Sequence, residues 1–291
     1  MDYSRRGFTG FMLALLFGPR RGTGSTSRSQ SVLKRYRADA VILLLGLPVY
    51  KRAGVGSGQV SVESTGEGAE ARRTLFFAAG SDPNRAHGLA RLGWMREVAH
   101  GSGSVPTETD YFGVLTSSPE ESLESARKSA GEPPKGVSVF AAVTGRHTAG
   151  HSRSALAKFE FPSDAQWSDR ALIEKSQAAF APTTEWRETA WPALPKQPPP
   201  TFLQQLEALL KQRTKCSGMY VYNEQEYSLE LGAPQQGADR LLAVKGEIRN
   251  RRTGERTNFR VWLESASNSA VPVRIEFQPR SFLRLTFESL P

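Results

Sequence analysis

The chain has 291 residues, 38% of them hydrophobic, one cysteine and a formal net charge of +9. That length supports one large core or two small ones, and the lone Cys216 excludes an internal disulfide or a thiolate metal cluster. The charge is no nucleic-acid footprint, because residues 1–37 hold eight basic side chains against Asp2 and so carry +7 of the +9.

The N-terminus reads as an export leader. Ser4-Arg5-Arg6-Gly7-Phe8 resembles the twin-arginine pattern S-R-R-x-F, and the apolar stretch Phe8 to Phe17 follows, too short to span a bilayer as a helix. Arg20 and Arg21 stand where a cleavage region is normally uncharged. The alternative is therefore a basic N-terminus on a cytosolic protein. Residues 18–35 are rich in Gly, Ser, Thr and Arg and read as a spacer, placing leader and spacer in 1–37. The apolar run Ala40–Tyr50 is interrupted by Gly46 and Pro48, too short for a transmembrane span, and reads as a buried strand. Gly54, Gly56 and Gly58 then read as a turn before a strand at Gln59–Glu63, with another strand at Arg73–Ala79.

Ser81-Asp82-Pro83 predicts a helix start running through Trp94 to Val98. Ser118-Pro119-Glu120-Glu121 is a capping box for a helix closed by Gly131, Pro133 and Pro134. Strands are expected at Val137–Val143 and Ser154–Phe161, and a short helix over Ser168–Phe180 with Leu172, Ile173 and Ala179 inward. Five prolines in Trp191–Pro200 mark an extended connector between a 38–190 part and a 201–291 part. Thr201 caps a helix whose stripe is Phe202, Leu203, Leu206, Leu209 and Leu210, the natural cover for one face of a following sheet.

That sheet is the strongest signal. Tyr220 and Tyr222, then Tyr227, Leu229 and Leu231, then Phe259, Val261 and Leu263 alternate with period two. Val271, Val273, Ile275 and Phe277, then Leu283, Leu285 and Phe287, complete it. Asn250 and Thr253-Gly254 suit a hairpin loop. Alternation puts Trp262 on the face opposite Val261 and Leu263. Over residues 200–288 this pattern, with Pro272, Arg274 and Ile275 in the penultimate strand, resembles the bacterial domain-of-unknown-function family 3108. The resemblance implies an exported, envelope-associated protein with a strongly curved antiparallel sheet, similar in outline to lipoprotein-carrier half-barrels. It implies no activity and no catalytic residues.

Other chemistry is sparse. His147-Thr148-Ala149-Gly150-His151 has metal-like spacing, but Thr148 stands where a metalloprotease helix needs its glutamate. The glycines at 54–58 lack the third glycine of a nucleotide loop, and Val55 excludes a nucleophile elbow at Ser57. His87 with Asp82, and His100 with Glu97, are acid–base pairs by sequence proximity alone. The expected fold is α+β: a mainly antiparallel, half-barrel-like sheet, continuous across both parts, with about three covering helices. The expected function is non-enzymatic binding of a lipid or an extended partner segment, with Tyr220, Tyr222 and Trp262 as ligand-facing candidates and no cofactor. The alternative is a hydrolase or metal-dependent enzyme using His147 and His151.

Overall fold

The computed structural model describes residues 30–291 apart from 45–46, 83, 86–91, 102–105, 117–136, 181–184, 238–239 and 281–282. The N-terminal half supplies β1 (Gln30–Leu44), β2 (Leu47–Thr65), β3 (Arg72–Ser81), β4 (Leu92–His100), β5 (Glu108–Thr116), β6 (Val137–Thr148), β7 (His151–Pro162), α1 (Arg170–Ala178) and β8 (Arg187–Ala190). The C-terminal half supplies α2 (Phe202–Gln212), β9 (Cys216–Tyr222), β10 (Gln225–Leu231), β11 (Gln235–Gln236), β12 (Leu241–Asn250), β13 (Arg256–Glu264), β14 (Arg274–Arg280) and β15 (Leu283–Ser289). All strands join one antiparallel sheet in the order β8-β7-β6-β5-β4-β3-β2-β1-β15-β14-β13-β12-β10-β9, with β11 on β12.

The two halves of the chain are one sheet. Its seam is the antiparallel pairing of β1 with β15, from Tyr36 opposite Ser289 to Ile42 opposite Leu283. No ladder joins the edges β8 and β9, so the sheet stays open. It nevertheless curls until the β9–β10 turn rests against β5 and β7. The Asn223 amide donates to the Tyr111 hydroxyl at 3.3 Å, and Ser152 hydrogen-bonds Glu224.

Helices lie on opposite faces of this curve. On the convex side Leu172 of α1 packs with Leu92, Val114, Phe140 and Ala142, and Asp169 caps the helix by accepting the Ala171 amide. On the concave side α2 lays Leu209 and Leu210 on Tyr220, Leu229, Leu231, Val244, Val261 and Leu263, with Phe202 and Leu206 alongside. Thr201 and Gln204 form its capping box, and Arg213 ends it in the left-handed region at φ 53°.

Five sequence expectations change. The predicted helix from Ser81 toward Val98 is replaced from Leu92 onward by strand β4. Both faces of β4 are covered, so its side chains show no clean polar alternation. Gly54, Gly56 and Gly58 lie inside the continuous β2 rather than in a turn. There Gly54 adopts φ +64° within a bulge, and a Cβ on Gly56 would come 2.1 Å from the Gly80 carbonyl oxygen. Residues 30–37, read as spacer and leader, belong to β1. Ala40–Tyr50 is not one buried strand but the end of the β1–β2 hairpin: Val41 and Leu43 are buried, whereas Leu44, Leu47, Val49 and Tyr50 are exposed. The described residues hold two α-helices where about three were expected, and the capping-box helix at 118–130 falls outside them, as do His87 and the twin-arginine motif.

Candidate functional site

The concave face carries polar side chains at the place where α2 and the β9–β10 turn meet β4 to β7. Glu97 projects from β4 into the interior and is 1% exposed. Its carboxylate accepts the Thr201 hydroxyl at 2.5 Å and the Leu203 and Gln204 amides at 2.8 and 3.0 Å. Those amides belong to the first turn of α2 and lack intrahelical partners, and a carboxylate there also faces the positive end of the helix dipole. Burial pushes Glu97 up to about 7, outweighing the Thr201, Leu203 and Gln204 hydrogen bonds, which lower it. Gln204 reaches Thr109 of β5 at 3.0 Å, and Glu207 pairs with Arg73 of β3. Arg213 donates to the carbonyls of Glu264, Ser267 and Ser269 beyond β13. One helix is thus fastened at both ends across the hollow of the sheet.

A second group holds the segments that flank α2. His147 is fully buried, and its Nδ1 donates to the Pro199 carbonyl at 2.7 Å. Burial pulls its pKa down, against the Pro199 hydrogen bond and nearby Glu224, which raise it. Tyr111 packs edge-on to His147 at 5.0 Å and tilted to Tyr222 at 5.6 Å. Ser152, opposite His147 across the strand pair, accepts Trp191 Nε1 at 2.7 Å and bonds Glu224. The Ser152 hydroxyl is engaged by Glu224, and His147 donates its Nδ1 proton to a backbone carbonyl, which leaves its Nε2 buried without a hydrogen-bond partner among the described residues. The arrangement anchors chain segments.

The sequence candidates separate. His147 is buried and His151 exposed on the opposite face of the β6–β7 hairpin, so the two imidazoles do not converge on one ion. His100 faces away from Glu97 and bonds Asp110 at 3.1 Å. Glu108 lies beside it, but Arg146 engages both carboxylates, at 2.7 Å to Asp110 and 3.4 Å to Glu108. This metal-capable group is already an ion network.

Tyr220 and Tyr222 do face the interior. Tyr220 is buried, stacked on Tyr227 at 5.0 Å and packed against Phe202. Burial raises the pKa of both hydroxyls. Trp262 is on the outer face between Arg260 and Arg274, whose guanidinium carbons lie 5.6 and 5.3 Å from its ring. It shares no surface with the tyrosines.

Residue reading missed Thr109, Ser152, Glu224 and the capping role of Glu97. Glu97 left little signal, since it directly follows Arg96 and the two read as an ordinary charged pair between Met95 and Val98. One cleft among the described residues, of about 530 Å³, is lined by Lys215, Glu230, Lys245, Glu247 and Asn258 beside Cys216. It is a charged groove, unlike an acyl cavity.

No family model matches the chain, and no curated protein does. Among solved structures, it is similar to the crystal structure of a beta-barrel-like protein of the domain of unknown function DUF1849 from Brucella abortus, at 9% identity and TM-score 0.43. That match covers 89% of this chain and 96% of the other.

Proposed function

We propose that this protein is a non-enzymatic binder of an apolar chain such as a lipid acyl group, and that α2 occupies the binding face until the ligand takes its place. The observation that carries the reading is the construction of α2. It is a short amphipathic helix that covers a continuous apolar face and hangs on a proline-rich connector, with the buried Glu97 carboxylate holding its first turn. The apolar surface it hides is the kind that acyl chains bury at roughly 25 cal/mol per Å². A helix whose own face is apolar competes with such a ligand on equal terms.

The twin-arginine-like leader and the resemblance to family 3108 support placing this activity outside the cytosol, at the cell envelope. Fractionation with an intact mass tests that placement: full-length protein in the cytosol contradicts it. Titration with the fluorescent apolar probe N-phenyl-1-naphthylamine tests the binding. The wild type should bind saturably, and Thr201→Ala, which loosens the helix start, should bind more tightly. Absence of saturable binding by both folded proteins contradicts the reading.

A further inference from the structure

The β1–β2 hairpin outruns the sheet that holds it. On one side β15 stops at Leu283 opposite Ile42, and on the other β3 stops at Ser81 opposite Gly56. Beyond those points the two strands pair only with each other, through Ile42 with Tyr50, Leu43 with Pro48 and Leu44 with Leu47. The end of this ribbon is apolar and meets solvent: Leu44 is 63% exposed, Leu47 70%, Val49 57% and Tyr50 57%, whereas Val41 and Leu43 nearer its base are buried. An exposed apolar cluster of this kind marks an interaction site. From Ala40 to Arg52 the sequence has no carboxylate and ends on Lys51-Arg52.

The ribbon is mounted firmly at its base. Opposite Ala38 to Ala40 the strand β2 bulges at Ala53-Gly54-Val55, and the buried Asp39 carboxylate fills the bulge. Asp39 accepts the Gly54 amide at 2.8 Å and lies 3.4 Å from both Arg37 and Lys51. A bulge increases local twist and redirects a strand, so the departure of the ribbon from the sheet is set by its sequence.

We propose that this ribbon docks the protein on an anionic lipid bilayer, its apolar end entering the acyl boundary and Lys51 and Arg52 lying among the phosphates. Leu47, Pro48, Val49 and Tyr50 are exposed in succession, so the tip turns apolar surface to both sides, and a fluid bilayer surrounds such a tip where one flat protein face cannot. The order of chemistry along the ribbon also matches the depth profile of a membrane. Leucines and Val49 lie outermost, Tyr50 at the level where aromatic rings sit, and the cationic pair next. Near an anionic surface each cation contributes about fivefold in affinity at low ionic strength, an effect that salt screens.

This inference goes beyond the apolar-ligand reading and is separable from it. The test is flotation of the full-length protein with vesicles of phosphatidylcholine mixed with phosphatidylglycerol, and with phosphatidylcholine alone. Every variant keeps the same basic N-terminus, so differences between variants report on the ribbon. The wild type should float with the mixed vesicles, and Leu44→Asp combined with Leu47→Asp should lower its affinity about tenfold or more. Lys51→Gln with Arg52→Gln should cost about twentyfold on the mixed vesicles at low salt and much less on phosphatidylcholine. Unchanged circular dichroism and unchanged N-phenyl-1-naphthylamine binding by these variants show that fold and interior are intact. Flotation equal to wild type by both variants overturns the proposal, as does a wild type that stays unbound. A dimer on size exclusion that the paired aspartates split also overturns it, because a second copy would then be what covers the leucines.

Discussion

Glu97 sets how α2 responds to pH. Its folded carboxyl holds a proton up to about 7, because burial outweighs the hydrogen bonds from Thr201, Leu203 and Gln204. The unfolded carboxyl titrates near 4.5. The stability tied to this proton is therefore complete below about pH 4.5 and is lost as pH rises through 7, on the order of 3 kcal/mol in all. Urea midpoints should fall between pH 5 and 8 in the wild type and flatten in Glu97→Gln. Parallel curves for the two proteins would remove Glu97 from the account. Gly145 makes a second test at this scale. A Cβ there would come 2.2 Å from the Tyr111 ring, which His147 and Tyr222 hold in place. Gly145→Ala should cost about 2 kcal/mol by overpacking, read from the same denaturation curves. Neither residue announces this in the sequence. Their roles depend on residues of other elements, Tyr111 for Gly145 and Thr201 for Glu97.

At the scale of elements, α2 was legible almost to the residue. Thr201, Gln204 and the leucine stripe are local signals, and they decide both its start and its buried face. Leu209→Ala should cost about 2–4 kcal/mol, since the side chain is buried in the concave cluster. A loss under half that in urea unfolding would mean the helix packs loosely. The alternating strands β9, β10, β13 and β15 were legible for the same reason, each having one face in the core. The strand β4 was not, because α1 covers part of one face and α2 meets the other. Nor was the exposure of Leu44, Leu47, Val49 and Tyr50. An apolar run records a preference for leaving water, and only the sheet order shows that β15 ends opposite Ile42 and β3 opposite Gly56, short of those residues.

At the scale of the molecule, the sheet is closed in sequence by its two ends: β1 and β15 lie side by side at its centre. That seam needs contacts across nearly the whole described chain, a topology that folds slowly. It also makes the 38–190 and 201–291 parts one structural body, with the proline-rich connector crossing from one to the other. Pro199 ties that connector to His147, and Pro200 ties it to β9 through the Val221 amide at 2.9 Å. The molecule is then a curved sheet with a fitted helix in its hollow, and the central claim is that the helix yields to an apolar ligand. Hydrogen exchange with and without a medium-chain fatty acid tests this most directly. Amides of Phe202–Gln212 should lose protection when the fatty acid binds, while those of β12 and β13 keep theirs. Protection of α2 that is unchanged under saturating ligand would contradict it.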